Sequence, residues 1–136
     1  MTTLREENLA VLEGYFAAMA EGPAAAMPFY STDAVLVVPG THPAAGTWNG
    51  HEGIAGFGGT MARLTDRTFR LSPIDLLASD DHVVTYANAS ATVNGRELAW
   101  LRVIVSVVRD GALAQLRFFE SDQVAVNELL NSAVND

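Results

Sequence analysis

"HVVTYANASATVNGRELAWLRVIVSVVRDGALAQLRFFE" (residues 82–120) decides the fold. Three runs rich in β-branched and small apolar residues are separated by Asn94-Gly95 and by Arg109-Asp110-Gly111. Asn-Gly between alternating runs is the strongest short hairpin signal, and a two-residue turn fixes the register on either side of it. Val93 then lies opposite Arg96, Ala89 opposite Trp100 and Ala87 opposite Arg102. Arg-Asp-Gly suits a three-residue turn with glycine in the left-handed position. That turn places Val108 opposite Ala112, Trp100 opposite Glu120 and Arg102 opposite Phe118. Strand side chains alternate, so one face carries Ala87, Ala89, Trp100, Arg102, Ile104, Leu116, Phe118 and Glu120. The other carries Tyr86, Asn88, Leu101, Val103, Val105, Val107, Arg117 and Phe119. A two-residue second turn would turn Glu120 outward and end its reading as a base.

Outward from this core the elements change type. "RTFRLSPIDLLA" (67–78) precedes it as a strand, with Pro73 marking an edge or a bulge. "SDQVAVNELL" (121–130) follows as a short helix capped by Ser121 or Asp122. Thr3-Leu4-Arg5-Glu6 has capping-box spacing, and Leu9, Leu12, Phe16 and Met19 recur at helical spacing until Gly22. Pro23 opens a second helix that Pro28 keeps short. "TDAVLVVPG" (32–40) is a buried strand, with Val37 and Val38 on the inner wall. The stretch 39–49 is a loop presenting His42 and Trp48, and "NGHEGIAGFGGTMARL" (49–64) is a helix. Its apolar face of Ile54, Phe57, Met61 and Leu64 is weakened by Gly53, Gly56, Gly58 and Gly59, each by ~1 kcal/mol relative to alanine. Helices first and strands after is an α+β order, and the 136 residues are read as one domain, 1–136.

Composition narrows the function. The eight basic residues are all arginine, scattered singly in a chain of net charge −8, which argues against nucleic-acid binding. No apolar run approaches the ~20 residues of a membrane helix, and the N-terminus does not read as a signal peptide. The absence of cysteine excludes disulfides and cysteine-ligated metal and fits a cytoplasmic setting. The three histidines have no metal-ligand spacing, so no metal is expected.

Four motifs, in order, carry a family resemblance: "YFAAMAEGP", "STDAVLVVPG", "GTWNGHEGIAGF" and "VVRDGALAQLRFFESDQ". They resemble the nuclear-transport-factor-2-like superfamily, and within it the SnoaL-like polyketide cyclase group, with ketosteroid isomerase more distant. The resemblance implies a cone: a curved mixed or antiparallel sheet wrapped around N-terminal helices and a pocket. It also implies an apolar small-molecule substrate or ligand, no cofactor, and a homodimer through the outer sheet face. Hydrophobic pattern alone would bury the valine face. The resemblance turns the Trp100–Arg102–Glu120 face inward and makes the valine face the dimer surface. The isomerase's general base falls at Val38 and its protonated aspartate at or beside Ile104, so that machinery is absent; its tyrosine falls at Tyr15.

Two sets of site residues follow. Glu120 and Arg102 read either as a buried ion pair or as a general base and its charged partner. Tyr15 is either a core aromatic or an oxyanion donor, a role Arg102 shares in the catalytic reading. Asp122 is either a helix cap or an acid/base group. His42, between two prolines, is either a solvated loop residue or a proton shuttle. His51 and His82 read as exposed. Phe16, Met19, Val38, Trp48, Phe57, Met61, Trp100, Ile104, Leu116 and Phe118, with Met27 and Tyr30, line the core or the pocket. The chain is expected to be a cofactor-free enzyme that cyclises or isomerises an apolar, oxygenated substrate, or a binding protein for one.

Overall fold

The computed structural model describes residues 1–133. Thr3 caps the first helix, α1 (Leu4–Met19), its hydroxyl accepting the Glu6 amide at 3.1 Å, as the capping box requires. Helix α2 (Pro23–Ala26) begins at Pro23 and passes into a single 3₁₀ turn over Met27–Phe29 that holds Pro28. Strand β1 (Tyr30–Val38) follows, then a short β2 (Gly46–Asn49), helix α3 (Gly50–Leu64), and β3 (Arg70–Ala78). Strands β4 (His82–Val93), β5 (Arg96–Arg109) and β6 (Ala112–Glu120) complete the sheet, and α4 (Gln123–Ser132) follows. The six strands lie in the order β2-β1-β6-β5-β4-β3, antiparallel except for the parallel β1–β6 pair, so the sheet is mixed.

The first hairpin has the register its sequence dictates. Asn94 and Gly95 sit at φ 53° and 78°, and Val93 pairs with Arg96, Ala89 with Trp100 and Ala87 with Arg102. The second turn departs from expectation. Arg109 pairs with Ala112 across a two-residue turn, Asp110 and Gly111 both being left-handed. A bulge then restores the parity: Val108 pairs with Leu113, but Val107 pairs with Gln115, leaving Ala114 as the extra residue. Leu113 and Ala114 are consequently both buried. Arg102 is thereby directly opposite Glu120, and Ile104 opposite Phe118, instead of Trp100 and Arg102 respectively. The membership of each face is unchanged, because the shorter turn and the bulge each move the register by one position, two in all.

Burial decides between the faces. Trp100, Arg102, Ile104, Leu116 and Phe118 are buried, whereas Val103, Val105 and Val107 are half-buried. Phe119, on the valine face, is 50% exposed. In β1 the buried residues are Ala34, Leu36 and Val38. Val37 pairs with Arg117 and belongs to the outer face, since neighbouring strand residues cannot both point inward. Strand β3 is an edge strand, and its register shifts between Pro73 and Asp75, so Pro73 marks both an edge and a bulge.

Helix α3 sits close to β2, and Gly53 permits that approach, whereas Gly56 leaves ordinary contact distance to the Trp48 ring. A Cβ on Gly53 would stand 3.1 Å from the Trp48 carbonyl carbon, and one on Gly56 would touch the Trp48 ring. Helix α1 packs on β3 and β4, at the other end of the sheet. The inner face of the two middle strands, β5 and β6, therefore lies between the helices. Leu36, Val38, Arg102, Ile104, Leu116 and Phe118 each retain 4–7% of their surface there, while Val83 and Leu113 retain none.

Candidate functional site

The interior is divided by a charged pair. Ile104 and Phe118 belong to an apolar cluster with Leu12, Leu36, Val38 and Ile54; Trp100 belongs to a second with Met61, Leu64, Val126 and Leu129. Arg102, one step along β5 from each, lies between them. Its Nε donates to Glu120 Oε1 at 2.7 Å and its Nη2 to Oε2 at 3.0 Å, a bidentate pair. Trp100 Nε1 also donates to Oε2, at 2.8 Å. The pair is out of bulk solvent, with side-chain exposures of 4% for Arg102 and 3% for Glu120. The guanidinium carbon lies 4.2 Å from the Phe118 ring centroid, 5.2 Å from Phe69 and 5.9 Å from Trp100. Three aromatic rings thus compensate part of the desolvation of the cation.

His42 departs from the reading of a solvated loop residue: it is 8% exposed. Its Nδ1 accepts the Ala44 amide at 3.1 Å, so the neutral ring carries its proton on Nε2. Burial lowers its pKa below the ordinary histidine value; the negative charge of Glu120 and the Pro39 carbonyl raise it, and Arg102 lowers it further. His42 therefore senses both members of the charged pair.

Helix α4 holds the His42 loop in place. Gln123, Asn127 and Asn131, at i, i+4 and i+8, form a row of amides along one helix face. Thr41 N–H donates to Asn127 Oδ1 at 3.1 Å, Asn131 Nδ2 donates to the Thr41 carbonyl at 3.2 Å, and Gln123 Nε2 reaches Asn127 Oδ1 at 3.0 Å. Gly40 allows this approach. Its φ is 116°, and a Cβ there would stand 2.5 Å from both Asn127 Oδ1 and Gln123 Nε2.

Other expected site residues fall elsewhere. Asp122 is exposed and caps α4, its carboxylate accepting the Ala125 amide at 3.0 Å, so it lies outside the interior. Met19 is 39% exposed at the end of α1 and does not line the interior. Trp48 stands on β2, not in a loop; its Nε1 donates to the Ala44 carbonyl and its ring packs edge-on to Phe57. Val38 and Met61 are buried and Phe16 and Phe57 half-buried, all within the two clusters. His51 is partly buried, with Nε2 2.9 Å from the Tyr30 carbonyl, while His82 is exposed. Tyr15 is paired with Tyr30, hydroxyl to hydroxyl at 2.6 Å, and not with Arg102 or Glu120. Desolvation raises both phenols, so the two are neutral, and one shared bond leaves one O–H hydrogen over.

Sequence reasoning did not find Phe69 against Arg102, Tyr30 against Tyr15, or the amides of α4. Only the last had a local signal, three amides four residues apart on a helix whose apolar stripe is Val126, Leu129 and Leu130. Among the described residues no three His, Asp or Glu side chains gather as metal ligands, and no helix is long and apolar enough to cross a membrane.

A conical mixed sheet around helices, with a few polar groups on an apolar inner wall, defines the class of fold. The SnoaL-like domain model matches residues 12–116, and the chain belongs to that family. Among solved structures, Bal32a, from a soil-derived mobile gene cassette, is similar at 25% identity with a TM-score of 0.86 over 94% of this chain and 99% of its own. An NTF2-like protein from Burkholderia xenovorans LB400 has 22% identity and a TM-score of 0.79 over 93% and 98% of the two chains. TerC, co-crystallised with polyporic acid, has 22% identity and a TM-score of 0.80 over 91% and 98%. A comparison with curated proteins finds no match.

Proposed function

We propose that the chain binds an apolar, oxygenated small molecule between α1 and α3 and moves a proton on it, without a cofactor. One observation carries the reading: a carboxylate held in fixed geometry by Arg102 and Trp100 on a mostly apolar inner wall. Glu120 Oε1 accepts a single hydrogen bond, from Arg102, and so keeps a lone pair for a substrate proton. The base is rigid because Arg102 and Trp100 fix both oxygens. His42, neutral and coupled electrostatically to Glu120, is the relay that returns the proton. The chemistry this supports is abstraction next to a carbonyl, followed by isomerisation or ring closure. Support comes from TerC, which has a similar fold and was co-crystallised with polyporic acid.

A second reading, binding without turnover, is favoured by the three hydrogen bonds that already occupy Glu120, all accepted by its carboxylate, which proton transfer would weaken. Deuterium exchange separates the two. 2-Tetralone, a bicyclic ketone with acidic α-hydrogens, is incubated with the protein in D₂O and its deuterium content followed by mass spectrometry. Proton abstraction predicts exchange faster than in buffer, lost by roughly 10²–10⁴ in Glu120→Gln. Binding of 2-tetralone with exchange no faster than buffer establishes the second reading.

The valine face supports a further proposal, a homodimer through the outer sheet. Val103, Val105 and Val107 are half-buried and Tyr86 and Phe119 exposed on one continuous surface.

A further inference from the structure

The turn at His42 closes on an imidazole where an amide would ordinarily serve. Asn and Asp side chains commonly accept the backbone N–H two residues on, which fixes a tight turn. His42 does the same with Nδ1, which accepts the Ala44 amide at 3.1 Å. An asparagine oxygen is an acceptor at every pH. Nδ1 is an acceptor only while the ring is neutral, because an imidazolium carries a proton on both nitrogens. Protonated His42 would therefore set one N–H against another, in a buried place with little water to come between them.

What this turn holds is Ala44, fully buried in the cluster of Trp100, Met61 and Leu64. The Ala44 carbonyl accepts Trp48 Nε1–H at 3.0 Å, and Ala45 N–H returns to the His42 carbonyl at 3.0 Å. Upstream, Thr41 is fixed by Asn127 at its amide and by Asn131 at its carbonyl. Downstream, Gly46 opens β2 at φ 121°, with open space where a Cβ would go. Residues 42–45 are thus the unit that can swing, between an anchored Thr41 and a hinge at Gly46.

We propose that residues 42–45 form a proton-operated latch: neutral His42 holds Ala44 closed over the Trp100 cluster, and protonated His42 releases it. The latch works whether or not the interior turns over a substrate. Among the described residues the charges that face His42 are Glu120 from β6 and Arg102 from β5, and they act in opposite directions. Helix α4 meets the loop with the uncharged amides of Gln123, Asn127 and Asn131, while its Asp122 caps the helix and its Glu128 pairs with Arg96. Strand β2 and helix α3 contribute Trp48, Met61 and Leu64, none of them charged. Burial therefore decides, and it favours the neutral ring. The latch is closed above the folded-state pKa of His42 and opens as pH falls through it.

Acid titration of the intact protein by NMR tests the latch, following the His42 ring, the Ala44 amide and the Trp48 indole N–H together. All three should share one midpoint. Once the ring is protonated, the Ala44 amide should exchange with solvent at least about tenfold faster relative to the Thr41 amide, which stays on Asn127. His42→Asn offers Ala44 an acceptor of the same kind that does not titrate, so in that variant the shared midpoint at Ala44 and Trp48 should vanish. Ala44 and Trp48 signals that stay in place while the His42 ring titrates overturn the latch. The same acid shift in His42→Asn overturns it too, as does a ring that stays neutral until the whole protein unfolds. The wild-type midpoints decide the matter even if the variant does not fold.

Discussion

Glu120→Gln keeps the size of the side chain and removes its charge, leaving Arg102 as an uncompensated cation in the interior. Breaking a buried pair from one side costs about 3–5 kcal/mol. Three rings 4.2–5.9 Å from the guanidinium carbon place Glu120→Gln toward the lower end, near about 3 kcal/mol. Arg102→Met is worse, because the carboxylate keeps only Trp100 Nε1 as a donor, and about 5 kcal/mol is expected. In the double variant no net charge is left, the amide introduced at position 120 still offers Trp100 an acceptor, and the residual cost is one poorly satisfied amide, about 1–3 kcal/mol. The two single costs therefore exceed the double cost by about 5 kcal/mol or more. At an unfolding entropy of about 2.1 cal/mol/K per residue, 136 residues convert each kcal/mol to roughly 3–4 °C. Glu120→Gln should lower Tm by about 10 °C and Arg102→Met by about 17 °C. Urea unfolding followed by tryptophan fluorescence gives the free energies. Single costs below about 1 kcal/mol that simply add would be the behaviour of a solvated surface pair, and would refute a dry interior.

His42 should titrate below 6.5 when its ring signals are followed by NMR, because burial lowers its pKa; a value at or above 6.5 would contradict its burial. Its folded-state pKa is below the unfolded one, so its contribution to stability is complete above the unfolded pKa and is lost as pH falls through the folded pKa; His42→Gln should flatten that acid limb. Gly58 and Gly59 have open space where a Cβ would go, so Gly58→Ala and Gly59→Ala should each stabilise by about 0.5–1 kcal/mol in thermal or urea unfolding, whereas Gly53→Ala should not. Val105→Glu, on the half-buried outer face, should shift sedimentation from dimer to monomer; a monomeric wild type at micromolar concentration would refute the dimer.

Local chemistry explains what the sequence reveals of this fold. Thr3 and Glu6 announce α1, Asn94-Gly95 sets the β4–β5 register, and Pro73 announces the edge and bulge of β3. The bulge at Ala114 has no such marker, since a small apolar residue fits a strand and a bulge equally well. Its only trace is the consecutive burial of Leu113 and Ala114, which depends on tertiary packing. Glu120 and Arg102 came out on one face because the two departures, a shorter turn and an added bulge, restore the parity. The inward direction of that face was not legible from pattern, because both faces are apolar enough to bury. His42 reads as a solvated residue since the groups that hold its loop at Thr41, Asn127 and Asn131, lie more than eighty positions away in sequence. Trp48 was misplaced because β2 is four residues long, too short to show a period, and Val37 because a run of four apolar residues on β1 masks the alternation that turns it outward.

The claim that the Arg102–Glu120 wall faces a ligand space is tested most directly by an NMR titration with 2-acetylnaphthalene, observing side-chain N–H signals. The indole Nε1–H of Trp100 and the Nε–H of Arg102 should shift together and saturate with the backbone amides of residues 102–104 and 116–118. Amides at the Asn94-Gly95 turn should stay in place. Saturable shifts confined to that turn or to the outer face around Val105 and Phe119, with Trp100 and Arg102 unmoved, would contradict the account.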